Sequence, residues 1–205
     1  MNKPRHQDYY SIKAKKEQYP ARSAYKLQEI DDKYKVFATA SRVLDLGSAP
    51  GSWLMVARER MRKEALLIGC DIQPLRIALS HNTYFFQDSI FERSPQFTES
   101  LTAFAPFDVI MSDMAPNTTG SFCTDAARSL ALCEEAFFLS QEFLASHGIL
   151  ITKVFMGGDI QGYQNLLREH FISVKSFKPK STKKESKEIF YIARGRKEKP
   201  IPDAN

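Results

Sequence analysis

The chain has few of the residues that build metal sites or covalent frameworks. Three cysteines (Cys70, Cys123, Cys133) and four histidines (His6, His81, His147, His170) are scattered through it, with no C-x-x-C pair and no histidines at ligand spacing. A disulfide scaffold and a structural zinc site are excluded as organising features, and no metal is expected. No apolar run approaches the roughly 18 residues that read as a membrane span. The opening "MNKPRHQDYY" also lacks the hydrophobic segment of a secretion signal. The expectation is a soluble, cytoplasmic protein with no membrane partner, in which the acceptor-like triplet Asn117-Thr118-Thr119 is a chance match. Glycine is sparse, nine in 205 residues, and nowhere forms G-x-G-x-x-G, because Ser-Ala-Pro separates Gly47 from Gly51 in "DLGSAPGSW". That removes the pyrophosphate cradle of a dinucleotide site, and with it a nicotinamide-dependent oxidoreductase.

What is present points to one core and one kind of partner. A hydrophobic content of 43% over 205 residues suits a single domain spanning 1–205, with no linker and no internal repeat. The net charge of +5 is segregated: residues 1–28 hold seven Lys/Arg against two acids and residues 175–199 hold ten against three, whereas residues 29–174 hold twelve against eighteen. Aromatics interleave with the basic ends, Tyr9, Tyr10, Tyr19 and Tyr25 at one and Phe177, Phe190 and Tyr191 at the other. Cations for phosphates and rings for bases suit RNA, so a basic N-terminal segment (about 1–28) and a basic C-terminal hairpin (about 171–196) are the expected contact surfaces.

Hydrophobic periodicity gives the order of elements. "SRVLDLGSAPG" is a strand ending in a glycine turn, and "SWLMVARERMRK" continues as a helix. Three short apolar runs follow, "ALLIGCDI", "NTYFFQDSI" and "FDVIMSDMAP", each with an aspartate at or near its C-terminal end. A long helix is expected from about Asp125, as N-cap, to Ser146, with Gly148 just past its end. Then come the strand "GILITKVF", a helix from about Asp159 to His170, and the strands "FISVKSF" and "KEIFYIARG", joined by the lysine-rich "KPKSTKKES" as a hairpin. The fold class is α/β, a mostly parallel doubly wound sheet with an antiparallel C-terminal strand. In such sheets ligands sit outside the carboxyl ends of the strands, where Asp45, Asp71, Asp88, Asp113 and Lys153 all map.

A single aspartate there is ordinarily a turn former or cap, but acids in register on successive strands are harder to dismiss. Asp71, twenty residues beyond Gly51, is placed to take both hydroxyls of a ribose, and Asp88 to accept from an adenine amino group. A nucleoside without phosphates points to S-adenosylmethionine. Lys153 is the other anomaly. An ammonium near the end of an apolar strand either snorkels to the sheet edge or is kept for chemistry.

The blocks "ARSAYKLQEI", "VLDLGSAPGSW", "SDMAPNTTG", "TKVFMGGD" and "SKEIFYIARG", in this order over about residues 8–196, closely resemble the FtsJ/RrmJ family of RNA ribose 2'-O-methyltransferases. The resemblance implies a Rossmann-like S-adenosylmethionine methyltransferase fold. It also implies a catalytic Lys-Asp-Lys-Glu tetrad at Lys26, Asp113, Lys153 and Glu188, and cofactor contacts at Gly51, Trp53, Asp71, Asp88 and Asp113. Ser52 stands where the family commonly has a second glycine, and Gln87 where it often has glycine before the third-strand aspartate. On periodicity alone Lys26 is a solvated helix lysine, sharing a face with Arg22, Glu29 and Lys33 opposite Leu27, Ile30 and Tyr34, and Trp53 could be plain core. Only the resemblance promotes both.

The reaction so implied is methyl transfer to a ribose 2'-hydroxyl of RNA, with a uridine of large-subunit (23S) ribosomal RNA, within the large subunit, as the leading substrate and a monomer as the expected state. Lys153 would serve the hydroxyl as base or as orienting group. The rivals are a methyltransferase of the tRNA anticodon loop and a non-catalytic RNA-binding or ribosome-assembly factor on the same scaffold.

Overall fold

The computed structural model describes residues 9–157, 159–183 and 185–197. Residues 1–8 of the basic N-terminal segment and Lys184 of the hairpin loop therefore lie outside the described residues. In chain order the strands are β1 (Arg42–Leu46), β2 (Leu66–Asp71), β3 (Thr83–Gln87), β4 (Phe107–Ser112), β5 (Leu144–Phe155), β6 (Phe171–Phe177) and β7 (Glu188–Arg196). The helices are α1 (Tyr9–Lys16), α2 (Ala24–Tyr34), α3 (Ser52–Arg60), α4 (Pro95–Phe104), α5 (Phe122–Phe143) and α6 (Ile160–His170).

All seven strands join one sheet, in the order β3-β2-β1-β4-β5-β7-β6. β1 to β5 pair in parallel, and β7 alone is reversed, antiparallel to β5 on one side and β6 on the other. The central strands are apolar on both faces because both are covered, as parallel sheets require. Val43, Met111, Ile151 and Phe190 pack with α2 and α3 on one face, and Leu44, Ile110, Leu150 and Ala193 pack with α4, α5 and α6 on the other. Chain order reverses where β1 lies between β2 and β4, which opens the crevice at their carboxyl ends where such folds bind ligands.

Three local expectations are corrected. α5 begins at Phe122, with Ser121 as N-cap, so Asp125 lies inside its first turn. The Asp125 carboxylate instead accepts from the N–H and hydroxyl of Thr119 and the N–H of Gly120, tying down the preceding loop. β5 starts directly at Leu144, so Gly148 is a strand residue rather than a helix stop. It sits where the register with β4 shifts, and a Cβ there would come within 2.5 Å of Leu144 Cγ. α4 was not anticipated, although its signals are plain: Pro95 occupies the first turn and the Ser94 hydroxyl accepts from Phe97 N–H at 3.2 Å.

The expected hairpin of β6 and β7 forms, and its basic loop is docked rather than free. Glu29 of α2 accepts from Lys180 N–H at 2.7 Å and Ser181 N–H at 2.8 Å, and the Arg22 guanidinium donates to the Ser181 carbonyl. Ser181 and Thr182 are consequently buried, and Arg22 of the basic N-terminal segment meets the basic loop on one surface. Glu29→Ala should speed amide exchange at Lys180 and Ser181 while the strands keep their protection, with about 1.5 kcal/mol lost in urea unfolding, the low end for hydrogen bonds to a charged group.

Candidate active site

Four chain segments bring their charges to one point at the carboxyl end of the sheet. Asp113 follows β4 directly, Lys153 lies near the end of β5, Glu188 opens β7, and Lys26 projects from the first turn of α2. β5 lies between β4 and β7 in the sheet, so the lysine strand is flanked by the two strands that position the acids. Lys153 Nζ is 2.8 Å from Asp113 Oδ1 and also donates to the Asp113 carbonyl. Lys26 Nζ is 3.9 Å from the same Oδ1 and forms a close ion pair with Glu188 Oε1. Lys26 also lies 5.8 Å from the Phe190 ring centroid.

Three of the four are buried, Lys153 at 5% exposure, Glu188 at 7% and Lys26 at 9%, while Asp113 is partly open to the crevice. The solvated-face reading of Lys26 is therefore overturned. The docked hairpin loop on Glu29, and Glu188 and Phe190 of β7 against Lys26, cover the face that helix periodicity assigns to solvent. Formally the two ammoniums and two carboxylates cancel, which is what allows so much charge to be buried together.

Beside this cluster lies a cavity of about 460 Å³ at the ends of β1 to β4, with Gly47, Asp71, Asp88, Ile90, Asp113 and Leu132 in its wall. Asp113 therefore belongs to both the cavity and the ion-pair cluster. Asp71 is fixed by the turn it faces, Oδ2 accepting from Ala49 N–H at 2.9 Å and Oδ1 from Gln73 N–H at 2.8 Å. Asp88 accepts from the Ser94 hydroxyl and from the N–H groups of Ser89 and Ser94. Burial pushes the Asp88 carboxyl up, but these three donors outweigh it and hold it below its ordinary 3.8. Each carboxylate oxygen keeps further lone pairs for a ligand. Gly47 sits at a close approach: with φ +80 in the left-handed region, a Cβ there would be 2.5 Å from Met114 Cγ.

Gly51 and Trp53 are not in that wall. The Trp53 indole is 2% exposed, stacks on Phe190 with 5.8 Å between centroids, and donates to the Ser23 carbonyl at 3.0 Å. Its side chain is core, and what α3 can offer a ligand is the backbone N–H of its first turn, which has no partner within the helix. Asp45 is the opposite case, seen at a strand end in the sequence but given no role. It is wholly buried in β1, and among the described residues neither carboxylate oxygen has a hydrogen bond of good geometry, although the nearby Ser48 hydroxyl favours its charged form. Burial, and next the Asp113 carboxylate, push its carboxyl well above the ordinary 3.8. No sequence pattern marks a carboxyl as unpaired.

The sequence profile of the FtsJ-like methyltransferases matches residues 19–196. The chain belongs to the FtsJ-like methyltransferase family. It is 48% identical over 191 residues to the ribosomal RNA large subunit methyltransferase E of Nitratidesulfovibrio vulgaris, covering 93% of this chain and 94% of that protein. It is 49% identical over 190 residues to the protein of the same name from Lawsonia intracellularis, covering 93% and 95%. Among solved structures, one described as a ribosomal RNA methyltransferase from Plasmodium falciparum superposes with a TM-score of 0.74 at 27% identity, over 87% of this chain and 98% of that one. The mycinamycin-pathway methyltransferase MycE shares the fold at 13% identity and a TM-score of 0.57. The Rossmann-like methyltransferase fold of the FtsJ-like family is thus the fold seen here. Among the described residues of this FtsJ-like chain no helix is long and apolar enough to cross a membrane.

The unpaired Asp45 gives a pH signature. The folded protein holds its proton above pH 3.8, where the unfolded chain has released it, so stability falls as pH rises from there. Asp45→Asn should lack that slope. Urea unfolding between pH 4 and 7 without added ligand should show wild type losing ground to the variant, by at most about 1.4 kcal/mol per pH unit, the limit for one group.

Proposed function

We propose that this FtsJ-like chain binds S-adenosylmethionine in the acid-lined cavity and transfers its methyl group to a ribose 2'-hydroxyl of RNA, with large-subunit ribosomal RNA as the substrate. The observation that carries the reading is the double membership of Asp113, which lines the cavity and holds Lys153. A methyl donor in the cavity and a hydroxyl on the lysine would then lie on either side of one carboxylate.

The cavity suits the donor. Its wall carries Asp71, Asp88 and Asp113 with no lysine or arginine among the described residues. That set repels nucleotide phosphates and favours a cationic nucleoside, and about 460 Å³ is within the range for a small-molecule site. Asp71 would hold the ribose hydroxyls and Asp88 the base, while Gly51, the N-cap of α3, and Trp53 in its first turn, both outside the cavity wall, offer only backbone N–H groups to the amino-acid end. When bound, the sulfonium supplies an already activated methyl group.

The protein's remaining work is to place the acceptor oxygen and manage its proton. An ammonium has three N–H donors, and Lys153 directs two of them at Asp113. The third direction is left for the 2'-oxygen. Lys153 orients that oxygen and takes its proton when the amine is neutral. Lys26 and Glu188, ion-paired to each other, flank the ribose and keep the cluster formally neutral. Phosphates would be met by the joined basic surface of Lys13, Lys16, Arg22, Lys180 and Lys183. The names carried by these relatives favour ribosomal RNA over a tRNA loop, and two ammoniums gathered with two carboxylates beside a ligand crevice favour catalysis over simple binding.

Labelled methyl donor offered with separated ribosomal RNA, tRNA and ribosomal subunits tests the substrate, and label is expected in large-subunit RNA at a 2'-oxygen. Asp71→Ala should weaken donor binding by about 1.5–3 kcal/mol in calorimetry, and unchanged affinity would move the donor elsewhere. Lys153→Ala should keep donor binding yet lose at least about 10²-fold in single-turnover methyl transfer. Lys153→Arg should fail as well, since a guanidinium holds its proton and its planar fork is a different shape. Near-wild-type turnover by Lys153→Ala would return this lysine to a packing role.

A further inference from the structure

We propose that the protein holds an unpaired base of its RNA substrate in a second cavity, built around Phe122 and Lys187 beside the Lys153 cluster. The inference deepens the function proposed above and rests on it. The cavity, about 330 Å³, lies at the end of β5 and is lined by Phe122 and Asp125 of α5, Phe155 of β5, and Glu185 and Lys187 of the hairpin loop. It shares no wall residue with the acid-lined cavity. Phe155 stands two residues beyond Lys153 on the same face of β5, about 7 Å along the strand. It also pairs in register with Glu188. The second cavity therefore adjoins the point where the reacting ribose is placed.

Phe122 is 50% exposed, and its position is fixed on three sides. The turn that leads into it is tied by Asp125, which accepts from Thr119 N–H at 2.7 Å, Thr119 hydroxyl at 2.9 Å and Gly120 N–H at 3.3 Å. Lys187 Nζ lies 4.4 Å from the ring centroid, a cation–π contact from the facing loop. Gly157 makes room for the ring: its φ of +148 disfavours other residues, and a Cβ there would come 2.7 Å from Phe122 Cζ. A large apolar ring held half in water at the mouth of a cavity is a surface prepared for a partner.

Charge decides which part of the RNA fits. A phosphate entering here would face Asp125 and Glu185 against the single ammonium of Lys187. A nucleobase carries no formal charge, stacks on an aromatic face, and offers N–H groups that the exposed Glu185 carboxylate can accept. Phosphates have their own place on the joined basic surface next door.

The test is a steady-state and abasic-substitution experiment on the RNA that the wild-type chain methylates. Phe122→Ala should raise the KM for RNA about tenfold, within the range for losing one base stack. Donor affinity and kcat at saturating RNA should stay within about twofold, and Phe122→Trp should restore the KM. Replacing nucleotides at and around the methylated one by abasic residues, one at a time, should reveal one position where wild type loses the same tenfold and Phe122→Ala loses nothing more. An unchanged KM in Phe122→Ala, or equal sensitivity of variant and wild type at every abasic position, overturns the base site while leaving the methyl-transfer function standing. No methyl transfer to any RNA by the wild-type chain overturns that function and this inference with it.

Discussion

The ion pair between Lys153 and Asp113 is the constraint on which the rest of the site depends. Burying an ammonium to 5% exposure costs several kcal/mol unless a carboxylate meets it, and a second buried ammonium, Lys26, makes the same demand. Asp113 touches both, and Glu188 completes the balance for Lys26. The sheet order follows the same logic, because β5 flanked by β4 and β7 sets Lys153 beside the Asp113 that meets it and brings Glu188 to the same end of the sheet, where it meets Lys26. Removing Asp113 would leave the Lys153 ammonium buried without a carboxylate, so its role in holding the site together cannot be separated from its place in the cavity wall.

The strand ends were legible from the sequence because an acid or a lysine closing an apolar run conflicts with burial, and such conflicts cluster where a fold binds ligands. Asp71, Asp88, Asp113 and Lys153 all stand where that reasoning put them. Lys26 was legible only through family likeness. Helix periodicity describes one helix in water and knows nothing of the hairpin loop, 151 residues away from Glu29 in sequence, that docks on the same helix. Trp53 sits in the glycine-turn block yet spends its ring on Phe190 and its N–H on Ser23, contacts that sequence spacing cannot foresee. The end of α5 was misplaced for a simpler reason: β5 follows it without a break, so the glycine that usually marks a helix stop marks a strand irregularity instead.

A basic, polar, lysine-rich connection ordinarily reads as solvated chain. Here Glu29 binds two successive backbone N–H groups of that connection, and Arg22 a carbonyl in the same turn, so its backbone is fixed while the side chains of Lys178, Lys180 and Lys183 remain exposed. Fixing the backbone lowers the entropy lost when phosphates bind. It also holds Lys187 over Phe122 and places Glu188, first residue of the next strand, against Lys26. One docking contact thus couples the basic surface to the charge cluster behind it.

The insertion of β7 between β5 and β6 has a consequence for the order of assembly on the ribosome. β5 leaves the exit tunnel well before β7, and until β7 arrives one edge of β5, with Lys153 in it, has no strand partner and Lys26 has no Glu188. The emerging chain must keep a long apolar edge from pairing with other chains during that interval. The same delay means that the charge cluster closes last, so no chain interrupted before Glu188 can assemble it.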